Sequence, residues 1–270
     1  MQDQSLAIDI EAILNEKLGK KARLVPKFVV RWFKNFIHQD FINEYLVRGR
    51  VGVDFCAGCL DYLGVKVEVE GLENLEKGSG HYTVVSNHPL GAIDGVTLGK
   101  VIGQKFDGNV GYLANSFLMY LKGLAPLCVP INKTGAQSKN LPAQINSLFQ
   151  SDKQVIMFPA GLCSRKINGK VTDLPWSKTF ITKSVQTKRD IVPLHFIAEN
   201  SPRFYRIANI CKKLHLKFNI AMLYLPDEMY KAQGGTFKLI IGEPIPYQTF
   251  DKSKTALEWA QWVREKAINL

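Results

Sequence analysis

The order of hydrophobic and polar residues divides the chain into a helical first part and a second part with strands. Up to about residue 60, apolar positions recur every three or four residues, as they do on one face of a helix. The two sets are Leu6, Ile10, Ile13, Leu14 and Leu18, and, after Pro26, Val29, Trp32, Phe33, Phe36 and Ile37. These repeats predict two amphipathic helices near the start of the chain.

From Val65 onward the hydrophobic period changes to two, because Val65, Val67 and Val69 alternate with charged residues. Short apolar runs follow, with helical stretches in most of the gaps between them. The further strand candidates are 82–86, 110–114, 127–131, 154–158, 191–196, 216–225 and 237–241, and a last helix is predicted over 256–268. This alternation predicts an α/β fold with a mostly parallel or mixed sheet flanked by helices.

The pattern suggests two parts, an N-terminal helical segment over 1–62 and an α/β domain over 63–270. The chain has 270 residues, of which 46% are hydrophobic, and a formal net charge of +11. A surplus of that size indicates an anionic partner, such as nucleic acid, an acidic membrane surface or an acidic carrier protein. A charge that serves only solubility is the alternative.

Basic residues are concentrated around the second predicted helix, within the segment 17–41. They are Lys17, Lys20, Lys21, Arg23, Lys27, Arg31 and Lys34. Aromatic residues on one face and cations on the other are typical of a helix that lies in a membrane interface, although a helix packed on the core would show a similar pattern. Without a signal peptide or an apolar run long enough to span a membrane, we expect a cytoplasmic protein that is peripheral on the inner face of the cell membrane.

Five cysteines, an odd number in a chain of this size, argue against a disulfide framework. Cys56 and Cys59 form a C-x-x-C pair, but no second pair follows at zinc spacing, and their neighbours are largely apolar. We therefore expect two packed thiols, no metal site and a reducing compartment.

The first candidate for chemistry is His88, which follows the predicted strand 82–86, with Asp94 six positions later. Pro89 and Gly91 prevent a regular helix between them, so the loop can bring Asp94 back to the imidazole. A carboxylate on one ring nitrogen fixes the tautomer and leaves the other nitrogen as a base for a hydroxyl. A histidine that only closes the end of a strand is the alternative.

A second candidate loop follows the predicted strand 154–158. It contains Gly161, which permits close approach of the backbone, and Ser164, Arg165 and Lys166, which offer hydroxyl and cationic donors. Such a loop suits an anionic headgroup or a phosphate, and a solvated basic turn is the alternative. Lys133 follows another strand end, and Pro193 lies within a later strand.

Taken in order, these motifs resemble the glycerophospholipid acyltransferase superfamily, which includes the lysophosphatidate acyltransferases. The resemblance covers about residues 65–250 and implies that His88 and Asp94 are the catalytic pair, supported by Asn87 and Pro89. The remaining matches are Phe158, Pro159, Gly161, Ser164 and Arg165 in the third motif, Val192-Pro193-Leu194 in the fourth, and Lys133 as a loose substitute for an acceptor-binding arginine in the second.

Two departures from the family pattern bear on the substrate. Five residues separate His88 from Asp94 where the family has four, and Ala160 replaces a carboxylate in the third motif. An alanine cannot accept a hydrogen bond from a glycerol hydroxyl. The pattern resembles a hemolysin-like branch that acylates lyso-amino-acid lipids such as lyso-ornithine or lyso-glycine lipid.

The resemblance implies direct O-acyl transfer from an acyl-ACP or acyl-CoA thioester, with no further cofactor. Arg165, Ser164, Lys133 and Gly161 would bind the acceptor, and backbone amides near Gly91 or Gly161 would hold the oxyanion. Three alternatives stay open. They are acylation of lysophosphatidate, a thioesterase with Cys163 as nucleophile, and a basic module that binds a membrane or nucleic acid, although no nucleic-acid motif is recognisable.

Overall fold

The computed structural model describes residues 6–131, 140–214 and 220–270. The helices are α1 (Ile10–Leu18), α2 (Lys27–Phe36), α3 (Gln39–Leu46), α4 (Val53–Leu63), α5 (Ile93–Lys105), α6 (Leu141–Gln150), α7 (Thr179–Thr187), α8 (Pro202–Lys213), α9 (Leu225–Lys231) and α10 (Ala256–Ile268). The strands are β1 (Lys66–Glu70), β2 (Tyr82–Ser86), β3 (Val110–Asn115), β4 (Cys128–Ile131), β5 (Gln154–Met157), β6 (Arg165–Ile167), β7 (Lys170–Thr172), β8 (Asp190–Ile197) and β9 (Thr236–Ile241).

Seven strands form one sheet in the order β1-β9-β8-β2-β5-β3-β4. Neighbouring strands are parallel except β8 and β9, which are antiparallel. Strand β2 lies at the centre and all five of its residues are buried. The α/β fold with a mostly parallel sheet that the sequence predicts is confirmed, and its central strand is the one that leads to His88.

The two faces of the sheet belong to separate hydrophobic layers, as the alternation of side chains along a strand requires. Val84 packs in one layer with Cys56 and Leu60 of α4, and Val85 packs in the other with Trp176 and residues of α7 and α10. The boundary that the sequence suggests after residue 62 falls inside α4. Because α4 contributes to the same core as the sheet, the N-terminal segment does not end there as a separate unit.

The structure differs from the sequence prediction in two places, one strand that is wrong and one hairpin that was not predicted. The candidate strand 216–225 is wrong where the structure describes it, since Ile220–Tyr224 forms a 3-10 helix and Leu225 begins α9. Proline near the start and acidic residues in the first turn favour a helix there. The hairpin of β6 and β7 was not predicted, although its turn, Asn168-Gly169, has positive φ at both residues and is the pair typical of two-residue hairpins.

Helix α2 lies on the surface, with no buried residue. Its predicted apolar face is divided, because Phe33 and Phe36 are partly covered whereas Trp32 is 60% exposed. Phe28 is 73% exposed and lies one turn before Trp32. Just after α2, His38 connects this part of the chain to α9, since its Nε2 lies 3.0 Å from Asp227 Oδ1. In the described ranges, no helix is both long and apolar enough to span a membrane.

Candidate active site

Strand β2 delivers His88 to the carboxyl end of the sheet, where α/β proteins collect their functional groups. The preceding residue, Asn87, connects the backbone just after β2 to strand β8. Its side chain donates to the Phe196 carbonyl at 2.9 Å and accepts from the Phe196 amide at 2.7 Å. On the other side of His88, the Pro89 carbonyl accepts from Asn200 Nδ2 at 2.9 Å. The backbone on both sides of His88 is therefore held by buried amide side chains.

The loop after His88 turns back and brings Asp94 to the imidazole. His88 Nδ1 lies 3.0 Å from Asp94 Oδ2. Gly91 makes the turn possible, since its φ is +78° and an added Cβ would lie 2.4 Å from Cys163 Sγ. The expectation that one extra residue between His88 and Asp94 can be absorbed by the loop is thus confirmed in geometry.

Asp94 lies in the first turn of α5 and is completely buried. It accepts backbone hydrogen bonds from Leu90 at 3.0 Å, Gly91 at 3.2 Å and Gly95 at 2.9 Å. Burial by itself raises the pKa of Asp94, but the positive charge of a protonated His88, a hydrogen bond from His88 and those of the loop amides outweigh it and lower the pKa. Asp94 therefore stays ionised beside the imidazole.

This arrangement can do acid–base chemistry. An ionised carboxylate at Nδ1 keeps the proton on that nitrogen, so Nε2 is the position that can accept one. The same carboxylate stabilises the imidazolium that forms when the proton arrives. The Phe158 ring stacks on the imidazole with 4.0 Å between centroids, which restricts its orientation.

A second buried carboxylate, Asp173, contacts His88 through the backbone and was not predicted from the sequence. Its Oδ1 accepts from the His88 amide at 3.2 Å and from the Ser164 hydroxyl, and its Oδ2 accepts from Trp176 Nε1 at 2.9 Å. The Ser164 amide donates to the His88 carbonyl at 2.8 Å. Both backbone polar groups of His88 are thus bound by Ser164 and Asp173.

Ser164 and Asp173 flank the β6–β7 hairpin, in which Arg165 pairs with Thr172. A two-residue turn at Asn168-Gly169 implies that pairing, and it also implies that Ser164 and Asp173 face each other. The turn is therefore the sequence signal that could have found Asp173. Burial raises the pKa of Asp173 despite hydrogen bonds from Ser164, Trp176 and the His88 amide.

Helix α10 anchors this hairpin from the other side. Arg264 Nη2 donates to the Asp173 carbonyl at 2.6 Å and to Thr172 Oγ1 at 2.8 Å. Gln261 Nε2 donates to the Trp176 carbonyl at 2.7 Å, and Gln261 Oε1 accepts from the Trp176 amide at 3.2 Å. The position of His88 therefore depends on a helix near the end of the chain.

The loop after β5 directs several of its polar groups into the protein. Arg165 is 6% exposed, and its Nη1 donates to the carbonyls of Cys163 and Ser164 at 2.5 and 3.2 Å. The Ser177 amide donates to the Pro159 carbonyl at 3.1 Å. Acceptor binding by Arg165 and Ser164 stays a prediction, and Lys133 lies outside the described residues.

The comparison with protein families decides the class of the protein. A model of the family described as acyltransferase matches residues 12–270. The chain belongs to the acyltransferase family. The match spans α4, the sheet, His88, Asp94 and the hairpin.

Individual relatives agree with this family. A lyso-glycine lipid O-acyltransferase of Phocaeicola vulgatus is 55% identical over 273 residues, covering 100% of this chain and 98% of the relative. One of the same name from Bacteroides thetaiotaomicron is 57% identical over 273 residues, covering 100% of both chains. A crystal structure of the 1-acyl-sn-glycerophosphate acyltransferase PlsC from Thermotoga maritima is 20% identical, with a TM-score of 0.48, and the match covers 93% of this chain and 81% of that one.

The acyltransferase does not present Cys163 as a nucleophile. The side chain is buried, and burial raises the pKa of its thiol to about 12. A thiol with that pKa is almost entirely protonated near neutral pH, and the thiolate is the reactive form. Cys56 and Cys59 are free, buried and shifted by burial to a pKa of about 12, as expected of packed thiols.

Backbone amides near Gly91 or Gly161 are the predicted oxyanion donors, and the amides of these two glycines themselves are already bonded within the acyltransferase. Gly91 donates to Asp94 Oδ2 at 3.2 Å, and Gly161, with φ of +68°, donates to the Phe158 carbonyl at 2.9 Å. Pro193 of the fourth motif is buried in β8 beside Val85, and its carbonyl accepts from Gly242 at 2.9 Å. The structure thus describes Gly161 and Pro193 as parts of the framework around His88.

Proposed function

We propose that this acyltransferase moves a fatty acyl group from an acyl-ACP or acyl-CoA thioester to the hydroxyl of lyso-glycine lipid. The observation that carries the choice of acceptor is the identity of 55% and 57% with two lyso-glycine lipid O-acyltransferases along the whole chain. Ala160, which stands where many members of the family have a carboxylate, supports it, because a glycerol hydroxyl would find no acceptor in that side chain.

His88 acts as the general base. Its Nε2 takes the proton of the acceptor hydroxyl while the oxygen attacks the thioester carbonyl carbon. The tetrahedral intermediate collapses with cleavage of the carbon–sulfur bond, and the leaving thiolate takes the proton from the imidazolium. An ester and a free thiol are formed, and His88 returns to its neutral state for the next cycle.

The support for this role is the pairing of His88 Nδ1 with Asp94 Oδ2 at 3.0 Å. Because Asp94 is ionised and completely buried, its charge acts on the imidazole with little screening by water. A positively charged imidazolium is therefore favoured at the moment when the hydroxyl loses its proton. The contact between Nδ1 and the carboxylate also fixes the orientation of the ring.

The acceptor's only anion would be the glycine carboxylate, and Arg165 is the residue proposed to bind it. A guanidinium has five N–H donors, of which Nη1 supports the loop carbonyls. Ser164, Lys133 and Gly161 complete the proposed acceptor site. No further cofactor is required, since the thioester itself provides the activated acyl group.

The proposed donors and the proposed location both suit a net charge of +11. Acyl carrier protein and coenzyme A are anionic, and so is the inner face of a bacterial membrane. Leu24, Phe28 and Trp32 are 80%, 73% and 60% exposed, and Phe28 and Trp32 lie one turn apart on α2. With exposed Lys27 and Arg31 close by, they would hold the protein peripherally on that surface.

A direct assay tests the choice of acceptor. Purified protein is incubated with acyl-ACP or acyl-CoA and with either N-(3-hydroxyacyl)glycine or lysophosphatidate, and the products are measured by mass spectrometry. We expect turnover of the glycine lipid to exceed that of lysophosphatidate. Efficient acylation of lysophosphatidate without turnover of the glycine lipid would assign the protein to phospholipid synthesis instead.

Two further experiments test the same proposal, one with a variant of the purified protein and one in cells. Arg165→Lys keeps the charge but loses the parallel pair of hydrogen bonds that a guanidinium offers to a carboxylate, so activity toward the glycine lipid should fall. In cells without the gene, lipid mass spectrometry should show accumulation of the monoacylated precursor. An unchanged lipid profile would contradict the proposal.

A further inference from the structure

Helix α8 (Pro202–Lys213) presents cations and large apolar side chains to solvent. Arg206 and Lys213 are exposed on it, as are Ile210 and the following Leu214, which are 54% and 61% exposed. The helix contains four basic residues and no acidic residue. A helix with this pattern has no partner for its outer side within the described part of the chain.

The inner side of α8 is tied to the active site. Phe204, Tyr205 and Ala208 are buried in one cluster with Cys163. Cys163 in turn lies against Gly91, the residue at which the loop between His88 and Asp94 turns. Helix α8 is therefore separated from the catalytic loop by one layer of side chains, and its outer side is the solvent-facing side of that helix.

The exposed side of α8 is also continuous with α2 through a row of aromatic contacts. Trp32 stacks on Phe36 with 5.3 Å between ring centroids, and Phe36 meets the edge of Tyr224 at 4.9 Å. The guanidinium of Arg203 lies 5.2 Å from the centroid of the Tyr224 ring. This row leads from Trp32, which is 60% exposed, to Arg203 in the first turn of α8.

We propose that α8 is a second membrane-contact element, which lies with α2 on the anionic surface of a bilayer. The proposal rests on the membrane association included in the proposed function. Arg206 and Lys213 meet the phosphates of anionic lipids, and Ile210 and Leu214 enter the boundary between headgroups and acyl chains. The acceptor lipid then reaches His88 from a surface on which the enzyme already lies.

A bilayer explains the surface better than an acidic carrier protein does. The aromatic row makes α2, Tyr224 and α8 one continuous face, and its exposed apolar residues are single side chains between cations rather than a closed patch. Cations that meet lipid phosphates and apolar side chains that enter the headgroup region are the two components of a helix at a membrane interface. A docking site for a carrier protein would need only α8. It would not explain why aromatic contacts connect α8 to the exposed Trp32 of α2.

The test is sedimentation with vesicles of phosphatidylglycerol and phosphatidylethanolamine. The full-length Arg206→Glu/Ile210→Ser protein is compared with a matched control at the start of α10, Lys252→Glu/Leu257→Ser. The control changes one exposed cation in the turn before α10 and one exposed apolar residue in the first turn of that helix. Because each surface cation contributes up to about fivefold to binding and reversal acts twice, we expect binding about tenfold weaker for α8, within the roughly 25-fold that two such steps allow. The control should bind like the wild type. Equal binding by both variants would overturn the proposal.

A second measurement holds even if the charge-reversed protein folds poorly. Ile210→Trp places a fluorescent reporter on α8, and Leu257→Trp places one on α10. Vesicles that contain brominated lipid should quench the added emission of the α8 tryptophan only. Quenching of neither reporter, with the vesicles saturated by protein, would exclude contact between α8 and the bilayer.

Turnover separates this proposal from the proposed function. With acceptor lipid in detergent micelles, the α8 variant should acylate at about the wild-type rate, and with acceptor in vesicles it should be slower. Normal vesicle binding together with a raised KM for acyl-ACP would assign α8 to the carrier protein and overturn the proposal. Failure of the wild type to acylate any lyso-lipid would reject the proposed function, while the vesicle comparison would still decide the role of α8.

Discussion

Asp94 and Asp173 are two buried carboxylates that contact the same residue, His88, at different places. Asp94 binds the imidazole at Nδ1, and Asp173 accepts a hydrogen bond from the backbone amide. Their pKa values move in opposite directions, lowered for Asp94 and raised for Asp173. In the proposed mechanism the two carboxylates therefore have different roles, Asp94 in handling the proton and Asp173 in holding His88 in position.

The difference has a physical origin. Asp94 lies at the start of a helix beside the imidazole. The charge of a protonated His88, the hydrogen bond from its ring and those from the Gly91 and Leu90 amides outweigh the effect of burial on the Asp94 pKa. Asp173 receives its bonds from a hydroxyl, an indole and one amide, and burial dominates. Carboxylates near a candidate base should therefore be separated by what they contact before any of them is assigned to catalysis.

The largest effect should follow removal of the group that both carboxylates serve. We expect His88→Ala to lower kcat by about 10²–10⁴-fold, since that is the usual contribution of a positioned general base. The assay is acyl transfer under saturating substrate, with circular dichroism and thermal unfolding as controls for the fold. A folded variant with near-normal turnover would remove His88 from the mechanism.

Asp94→Asn should lower kcat by the same factor or less. If the NH₂ group takes the place of Oδ2, the Leu90 and Gly91 amides lose their acceptor, and only the Gly95 amide keeps one. The NH₂ group then donates to the imidazole at Nδ1 and favours the tautomer with its proton on Nε2. That tautomer cannot accept the proton of the hydroxyl. Measurement of kcat and KM should show a loss in kcat alone, and a change confined to KM would contradict the orienting role.

Asp173→Asn should have a smaller effect, up to about 100-fold in kcat, because a small displacement of a catalytic group is enough for such a loss. The variant keeps its size and one acceptor oxygen, but its NH₂ group faces Trp176 Nε1, which is also a donor. The loss should appear in kcat while KM for the acyl donor changes little.

A double variant separates positioning from general damage. If Asp173 acts through His88, adding Asp173→Asn to His88→Ala should leave the residual rate unchanged. A further loss of the same size in the His88→Ala background would show that Asp173 acts elsewhere. Ser164→Ala, which removes another donor to the same carboxylate, is the matched control for the hydrogen-bond network.

The smallest effect concerns the pH dependence of stability. Since the pKa of Asp94 is lowered by folding, its contribution is present above the usual carboxyl pKa and is lost as pH falls through the lower folded value. Folding raises the pKa of Asp173, so its ionisation destabilises the fold as pH rises from the usual value to the raised one. Relative to the wild type, Asp94→Asn should be most destabilised near neutral pH, and Asp173→Asn should be most destabilised in acid.

Urea unfolding at several values between about pH 2 and 7 measures both trends, because the Asp94 contribution changes below the usual carboxyl pKa of about 4 and the Asp173 contribution changes above it. The free energy of unfolding of each variant is subtracted from that of the wild type at the same pH. The two differences should change with pH in opposite directions. Parallel curves would mean that the two carboxylates do not differ in the way that the structure indicates.

Much of the fold could be predicted because local pattern and tertiary structure agree there. The run Tyr82–Ser86 is apolar, short and bounded by turn residues, and it is the central strand. The run 216–225 looked similar, but nothing in its pattern showed that part of it would form a 3-10 helix and the start of α9. Hydrophobic period alone cannot separate short buried strands from short helices.

The candidate site was predictable only as far as its residues are close along the chain. His88 and Asp94 are six residues apart, and their pairing follows from the loop between them. The contact between His88 and Asp173 spans 85 residues and depends on where a hairpin of two short strands lies on the sheet. Such a contact leaves no trace in residue spacing, and only the Asn168-Gly169 turn gives an indirect sign of it.

The base and the tip of the β6–β7 hairpin differ in how tightly the rest of the protein holds them. Ser164 and Asp173 at its base are buried and bonded to His88, whereas residues 166–170 at its tip are all exposed. Mutational tolerance within the ten consecutive positions 164–173 should therefore change from almost none to nearly complete. Related enzymes can lengthen or recharge the tip during evolution, and acquire new surface properties there, without moving the histidine that the base holds.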